Sequence, residues 1–202
     1  MYGGGSIRVY YSGFEVFLDT LSEKDIDDFA RNANDLEIAY NVAALGEFPH
    51  PYGREDAVLF IGNAERSLAE GKEYHFAIRD SRTDELVGAA GIWGIDLEKK
   101  VCEIGCWLGK EYRGKGYSKE ALALLSHFAF NRLGISKEYA KVFDFNSKSA
   151  SMLDSVGFSM DEKFGEMKMH YHGPAQERRY EIIKSQFDDK YGELLNGVEV
   201  IA

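Results

Sequence analysis

The chain has 202 residues, of which 45% are hydrophobic and 13% aromatic, and this composition excludes a chain that is disordered throughout. Its length predicts one domain, and its formal net charge of -10 disfavours broad binding to nucleic acid, although a local basic patch can still bind a small anion. Because there is no apolar run of about 18 residues and residues 1–20 carry charges, we expect no membrane span and no signal peptide, hence a cytoplasmic protein.

The N-terminal third predicts mainly helices. Residues 1–6 are typical of a flexible start, and partial alternation over 14–18 predicts a strand. Ser22 and Asp25 have the spacing of a capping pair, which opens a helix whose apolar positions 26, 29, 30 and 33 share one face. Three further segments follow: a helix over about 36–45, a loop over GEFPHPYG (46–53) and a helix over 54–69 with Ala57, Val58, Phe60, Ile61, Ala64 and Leu68 facing inward.

The remainder of the chain predicts a sheet with helices between some of its strands. Strands are expected over 74–79, 86–93 and 101–108 as an antiparallel meander, over 138–145, and over 158–172 and 177–187 around the turn GPAQ (173–176). Helices are expected over 117–133 and 147–156, and the tail 188–202 is predicted to be loosely held. Because a strand, helix, strand unit normally joins parallel neighbours, the fold class is α+β with a mixed, mostly antiparallel sheet in a single domain, 1–202.

Two cysteines, Cys102 and Cys106, lie four residues apart on one of these strands. At about 3.3 Å per residue they are about 13 Å apart, too far for a disulfide or for joint coordination of one ion. We therefore expect two reduced thiols, which agrees with a cytosolic location.

The segment RGKGYS (113–118) lies between a predicted strand and a predicted helix and has the chemistry of an anion site. Gly114 and Gly116 allow the backbone to approach a ligand closely, and the first N–H groups of the helix attract negative charge. A basic cluster surrounds them, formed by Lys110, Arg113, Lys115 and Lys119. A pyrophosphate fits this description, although the same residues could be a glycine turn before a surface helix. The dinucleotide fingerprint G-x-G-x-x-G fails here because Lys119 occupies its third glycine position.

Three motifs in order resemble the GNAT superfamily of acyl-CoA N-acyltransferases, in particular its RimJ/RimL-like branch. Arg113, Gly116 and Ser118 match the signature [RQ]-x-x-G-x-[GA], with Ser118 replacing the usual Gly or Ala. EIGCWL (103–108) resembles the EIGYWL strand of that branch, and NSKSASMLDSVGF (146–158) resembles its N-x-x-S-x-x-x-(L)-x-x-x-G-F segment. The resemblance extends over about 7–187.

The resemblance implies that acetyl-CoA, as co-substrate, lies between two splayed strands, 101–108 and 138–145. Main-chain groups of Cys106, Trp107 and Leu108 would pair with the pantetheine arm, and the Leu108 N–H would bond the thioester carbonyl. Asn146 would reach the cofactor from the opposite side. The pyrophosphate would be held by the backbone of Arg113, Gly114, Lys115, Gly116, Tyr117 and Ser118.

Acyl transfer to an amine requires a base, because amines are mostly protonated at neutral pH, with a pKa of about 8 for an α-amine and about 10.4 for lysine. Glu103 is the candidate, since it lies in an otherwise apolar strand, matches the glutamate of EIGYWL and shares a face with Gly105 and Trp107. The alternative is a solvated glutamate or one paired with a lysine.

The acid that protonates the leaving thiolate is Ser149 by resemblance. Both Ser149 and Asn146 could instead cap a helix, and a tyrosine such as Tyr112, Tyr117 or Tyr171 could supply the proton.

The histidines do not predict a metal site. His170 and His172 fall on one strand face, but no third ligand has a suitable spacing, so no metal is expected. His50 could line the acceptor entrance, and His75 and His127 are expected to be structural.

The resulting expectation is an acetyl-CoA-dependent N-acetyltransferase that acts by direct transfer in a ternary complex. The acceptor would be a primary amine, either a small molecule or a protein N-terminus, and the enzyme could be a homo-oligomer. The alternatives are a non-catalytic acyl-CoA sensor or interaction module on the same fold, and an unrelated nucleotide-binding protein.

Overall fold

A computed structural model describes residues 6–42, 44 and 46–202 of the chain. The helices in these ranges are α1 (Ile26–Ala33), α2 (Leu36–Val42), α3 (Arg54–Glu70), α4 (Tyr117–Arg132), α5 (Ser147–Val156) and α6 (Lys184–Tyr191). The strands are β1 (Arg8–Tyr10), β2 (Val16–Thr20), β3 (Tyr74–Asp80), β4 (Leu86–Asp96), β5 (Val101–Leu108), β6 (Lys137–Phe143), β7 (Ser159–Met160), β8 (Glu166–His170), β9 (Gly173–Ile183) and β10 (Glu199–Ile201). The expected flexible start, apart from residue 6, lies outside the described residues.

The described strands form one sheet in the order β10-β1-β2-β3-β4-β5-β6-β9-β7, and β8 pairs with β9. The meander β3–β4–β5 is antiparallel, as predicted. β5 and β6 are parallel and joined through α4, which is the strand, helix, strand unit that the sequence indicates. The prediction of a mixed, mostly antiparallel α+β fold is confirmed.

The sheet is covered on both faces. One core contains the apolar side of α4 together with Leu153 of α5 and Phe187 of α6. The other contains α1 and α3, where Phe29 and Ile61 pack towards Ala89 of β4. The capping pair Ser22 and Asp25 forms as predicted, although it opens a short 3-10 turn at Glu23–Asp25 that leads directly into α1.

The inward face of α3 differs from the prediction at one position. Ala57, Ile61, Ala64 and Leu68 are buried, whereas Val58 is 42% exposed. At about 100° per residue, position 58 lies off the stripe that the four buried residues form, so its hydrophobicity does not bring it into the core.

The C-terminal hairpin was predicted with its turn in the wrong place. The turn lies at residues 171–172, and GPAQ is already part of β9, since Pro174 pairs with Met169. The first predicted strand is divided into β7 and β8, and the second ends at Ile183, where α6 begins. Phe187 and Tyr191 are both buried and four residues apart, a spacing that belongs to a helix rather than a strand.

The tail from residue 188 differs from the expectation of a loosely held segment. It contains the end of α6, a buried Leu195 and strand β10, which pairs with β1 in an antiparallel register. Both strands have three residues, too few to show a period, and they meet only because the two ends of the chain come together at one edge of the sheet. Across the described ranges, no helix combines the length and apolar character needed to cross a membrane.

Candidate active site

The site begins where β5 and β6 separate. The two strands pair only from Val101 to Glu103 on β5, opposite residues 137–139 on β6. Beyond that point a cleft of about 490 Å³ opens, with the rest of β5 on one side and the start of α5 on the other. The expectation of two splayed strands therefore agrees with the geometry.

The backbone of β5 directs alternate N–H groups into this cleft. The Gly109 N–H donates to the Val87 carbonyl of β4 across 2.9 Å. Because hydrogen-bonding direction alternates along an antiparallel strand, the N–H groups of Leu108 and Cys106 point away from β4, towards the opening. These are the main-chain donors that the resemblance implies for the thioester and the pantetheine arm.

The loop before α4 is open in the way that an anion site requires. Gly114 and Gly116 have φ values of +77° and +87°, and no atom lies within 4 Å of the position that a Cβ would take at either. Tyr117 and Ser118 start α4 and line the cleft, and the first intrahelical bonds to the Gly116 carbonyl come only from Lys119 and Glu120. The first N–H groups of the helix and its dipole thus face a space that fits a pyrophosphate.

Nearly all of the predicted cofactor residues line the cleft. They are Cys106, Trp107, Leu108, Arg113, Gly114, Gly116, Tyr117, Ser118 and Asn146. Lys115 is not among the described residues that line it, because its ammonium lies over the rings of Tyr112 and Tyr117, 5.4 and 5.9 Å from their centroids.

Ser118, the departure from the family signature, lines the first cleft together with Cys106. Burial raises the pKa of the Cys106 thiol to about 12, and Ser118 acts on that pKa in the opposite direction. Cys106 is therefore a neutral thiol, and the described cysteines are both free.

Arg113 lies at the site but is already paired. Its guanidinium donates to Asp35 across 2.6 Å, to Glu37 across 2.8 Å and to the Leu108 carbonyl across 3.1 Å. Glu37 also meets the Lys148 ammonium at 3.3 Å. Burial raises the pKa of Asp35, but the Glu37 N–H and Arg113 outweigh it and hold that pKa below its usual range. Two cations from opposite walls thus converge on a carboxylate of α2.

Asn146 caps α5, as the alternative interpretation predicts. Its Oδ1 accepts the Ser149 N–H across 3.1 Å, and its Nδ2 donates to the Asn41 carbonyl across 3.5 Å. Ser149 in turn lines both this cleft and a second one. A capping role for Asn146 does not remove it from the cleft wall.

The second cleft, of about 440 Å³, is continuous with the first. Cys106, Trp107, Asn146 and Ser149 line both. Glu103 is in the second cleft, where it shares a face with Gly105 and Trp107 as predicted. A small molecule in the second cleft would therefore lie next to the end of the first.

Glu103 pairs with a lysine that the sequence analysis did not identify. Its carboxylate lies 3.2 Å from the Lys141 ammonium, and the two side chains are 13% and 29% exposed. Burial lowers the pKa of Lys141, but Glu103 and the nearby Glu177 raise it overall, so Lys141 is an ammonium. Glu177 lines the same cleft, and burial raises the pKa of its carboxyl.

The three tyrosines considered as alternative proton donors to the leaving thiolate differ in their positions. The Tyr117 hydroxyl donates to Asp80 across 2.7 Å, and this bond is the main cause that raises its pKa to about 12. Tyr112 and Tyr171 are not among the described residues that line either cleft.

The histidines differ in whether they line a cleft or lie in the core. His170 is buried and donates from Nε2 to the Tyr40 carbonyl across 2.6 Å, and its ring packs against Phe143 and Phe145. His75 lines the second cleft rather than being purely structural, and His50 is not among the described residues in its wall. No cluster of three potential metal ligands occurs in residues 6–42, 44 and 46–202.

Sequence reasoning missed several wall residues because they lie far apart along the chain. Lys141 is 38 residues from Glu103, and Glu37 is 76 residues from Arg113. Nothing local in the sequence indicates either pair.

Comparison with known sequences gives one family. Residues 15–159 match the family model described as an acetyltransferase (GNAT) domain. The uncharacterized N-acetyltransferase p20 of Bacillus licheniformis is 36% identical over 92 residues, which cover 46% of this chain and 52% of p20. The chain thus spans about half the length of the curated relatives it matches first, p20 and the probable N-acetyltransferase YjcK of Bacillus subtilis (52% and 55%).

Comparison with solved structures shows a shared fold. Mycobacterium smegmatis RimJ in complex with CoA-disulfide superposes with a TM-score of 0.79 at 15% identity, covering 97% of each chain. Spermidine N-acetyltransferase from Vibrio cholerae in complex with CoA and spermine superposes with a TM-score of 0.73 at 18% identity, covering 86% of this chain and 98% of the other.

Proposed function

The chain belongs to the GNAT acetyltransferase family, and from that premise we propose that it transfers an acetyl group from acetyl-CoA to a primary amine. The observation that carries the proposal is the pair of continuous clefts. One has the open glycine loop, the helix N-terminus and the inward N–H groups of β5, and the other has a carboxylate beside the junction. We propose direct transfer in a ternary complex of a single-domain cytoplasmic enzyme.

In this proposal each step has a named group. Glu103 takes a proton from the acceptor ammonium, directly or through a water molecule, and the neutral amine attacks the acetyl carbonyl. The Leu108 N–H stabilises the oxyanion, because it is fixed and points into the cleft. The attacking nitrogen loses its second proton to water and the C–S bond breaks. The Ser149 hydroxyl gives a proton to the CoA thiolate and regains one from solvent, and Glu103 returns its proton to solvent.

The Glu103–Lys141 pair is compatible with this role. The ammonium orients the carboxylate towards the second cleft and can be displaced by the incoming amine, which carries the same charge. The Arg113 pairs are also compatible, since a phosphate can replace the Glu37 carboxylate between Arg113 and Lys148.

Cofactor binding tests the first half of the proposal. We expect CoA to bind in a calorimeter, and Gly116→Glu to weaken binding more than about tenfold, because a side chain at φ +87° is strained and a carboxylate repels phosphate. The matched control is Gly134→Glu, which has the same charge, a similar φ of +73° and open surroundings, at the far end of α4. Unchanged CoA affinity in Gly116→Glu would mean that the cofactor lies elsewhere.

Thiol release tests the second half. Acetyl-CoA mixed with a panel of amines, including N-terminal peptides, spermidine and amino acids, should yield free CoA thiol. CoA binding without thiol release from any amine would favour the non-catalytic sensor.

A further inference from the structure

The second cleft combines an aromatic wall with a few charged side chains, namely three glutamates and two lysines. Phe60, His75, Trp93 and Trp107 all line it, and each is partly exposed. Their rings form a continuous series: Phe60 to His75 at 5.3 Å, and His75 to Trp93 at 6.4 Å with the planes 10° apart. Buried Phe29 supports the wall from behind, 5.1 Å from both Phe60 and Trp107.

Two glycines bring these rings close to the strands. A Cβ on Gly105 would lie 2.8 Å from the Trp93 ring, and a Cβ on Gly91 would lie 2.6 Å from the His75 ring. The Trp93 and His75 rings therefore lie close against the backbone of β5 and β4, and Trp93 is paired with Glu103 across the two strands. An apolar group entering beside Glu103 would be surrounded by aromatic carbon.

Two of the three glutamates that line the cleft have lysines of this chain beside them, and the third, Glu47, accepts the Ala44 N–H across 3.0 Å. Glu103 is paired with Lys141, and both Lys141 and Lys168 attract Glu177. Lys168 in turn pairs with Glu166 across 3.1 Å. Three glutamates and two lysines line the cleft, so its wall has room for about one further positive charge, whereas a polyamine requires several carboxylates free to accept its ammonium groups.

We propose that the acceptor is a primary amine joined to an aromatic or bulky apolar group. Its ammonium takes the place of Lys141 at Glu103, and its apolar group packs against Phe60, Trp93 and His75. This inference rests on the proposed acetyl transfer. It narrows the acceptor to amines that carry a single positive charge next to an apolar substituent.

The test compares kcat/KM for amines that differ in one group. We expect 2-phenylethylamine to exceed ethylamine at least about tenfold, since burying an aromatic ring contributes that much, and to exceed spermidine as well. The peptides Phe-Ala-Ala and Gly-Ala-Ala repeat the comparison for a polypeptide acceptor. Phe60→Ala should reduce the preference to about threefold or less. Phe60→Leu keeps most of the side-chain volume and should retain part of the preference for 2-phenylethylamine over ethylamine. It provides a second measurement in case the alanine variant misfolds.

The matched control is Leu59→Ala, because Leu59 is the neighbouring residue on α3 and is 67% exposed. It should leave every ratio unchanged. Equal turnover of 2-phenylethylamine and ethylamine, or a higher value for spermidine, would overturn the inference and leave acetyl transfer intact. CoA binding with no thiol release from any amine would instead overturn the proposed function, and the inference with it.

Discussion

At the scale of the residue, the base role proposed for Glu103 decides whether acetyl transfer takes place in the second cleft. Glu103→Gln keeps the shape of the side chain and removes its capacity to take a proton. We expect turnover to fall about 10²-fold or more, the range in which general bases contribute. The loss should be greatest below about pH 8, where an α-amine acceptor is mostly protonated, and should shrink at higher pH. Thiol release measured from pH 6 to 10 checks this.

A control variant with the same change of charge separates the loss of a catalytic base from a general electrostatic effect. Glu98 lies in the exposed turn between β4 and β5, outside both clefts, so Glu98→Gln should leave the pH profile unchanged. A Glu103→Gln profile parallel to that of the unaltered protein would exclude the base role. The Lys141 pair would then be structural, which is the alternative that the sequence left open.

At the scale of the element, α2 links the two walls of the first cleft. Its start is tied to Arg113 through Asp35 and Glu37, and its end is tied through the Asn41 carbonyl to Asn146 and through the Tyr40 carbonyl to His170. Glu37 lines the cleft between Arg113 and Lys148 and pairs with both, so in the proposed complex it would compete with a CoA phosphate for these cations.

Removing this carboxylate should therefore strengthen cofactor binding. We expect Glu37→Gln to tighten CoA binding about two- to fivefold by calorimetry, since each exposed ion pair contributes about 0.2–1 kcal/mol. Glu111→Gln removes an exposed carboxylate from the loop beside Arg113 and should have a smaller effect. If Glu37→Gln weakens binding instead, the carboxylate holds Arg113 in place for the phosphate.

At the scale of the whole molecule, the core contains a carboxyl that makes stability depend on pH. Glu138 of β6 is fully buried beside the Ser126 hydroxyl of α4, and burial raises its pKa from 4.5 to about 8. Between those values the unfolded chain releases a proton that the folded chain retains, so stability falls as pH rises. Below pH 4.5 both states hold the proton and the effect disappears.

Replacing this carboxyl with a neutral amide should remove the pH dependence. At pH 7 we expect Glu138→Gln to raise the free energy of unfolding by about 3 kcal/mol, with a larger gain at pH 8 and a gain of only about 1 kcal/mol at pH 5. Urea unfolding at the three values measures it, with Glu98→Gln as the surface control. An equal gain at every pH would mean that Glu138 stays ionised in the core or that packing alone has changed.

The parts of the fold that follow from local pattern were predictable. Alternation over 101–108 predicts β5 with the bounds that it has, and Asn146 and Gly157 mark the two ends of α5. The glycines of RGKGYS predict the open loop before α4 because their effect on the backbone needs no distant partner. The two faces of β5 were predictable for the same reason. Because side chains alternate along a strand, Glu103 and Cys102 lie on opposite faces of the sheet.

Sequence by itself therefore determined the sheet meander, the open glycine loop at the start of α4 and the face that Glu103 occupies, because each depends on neighbours within a few residues. Tertiary structure alone decided the pairing of Glu103 with Lys141, the carboxylates of α2 on Arg113, the aromatic wall and the β10–β1 edge. Each of these joins segments far apart in the chain, and their contacts depend on where the sheet and its crossover place them, which no local period encodes.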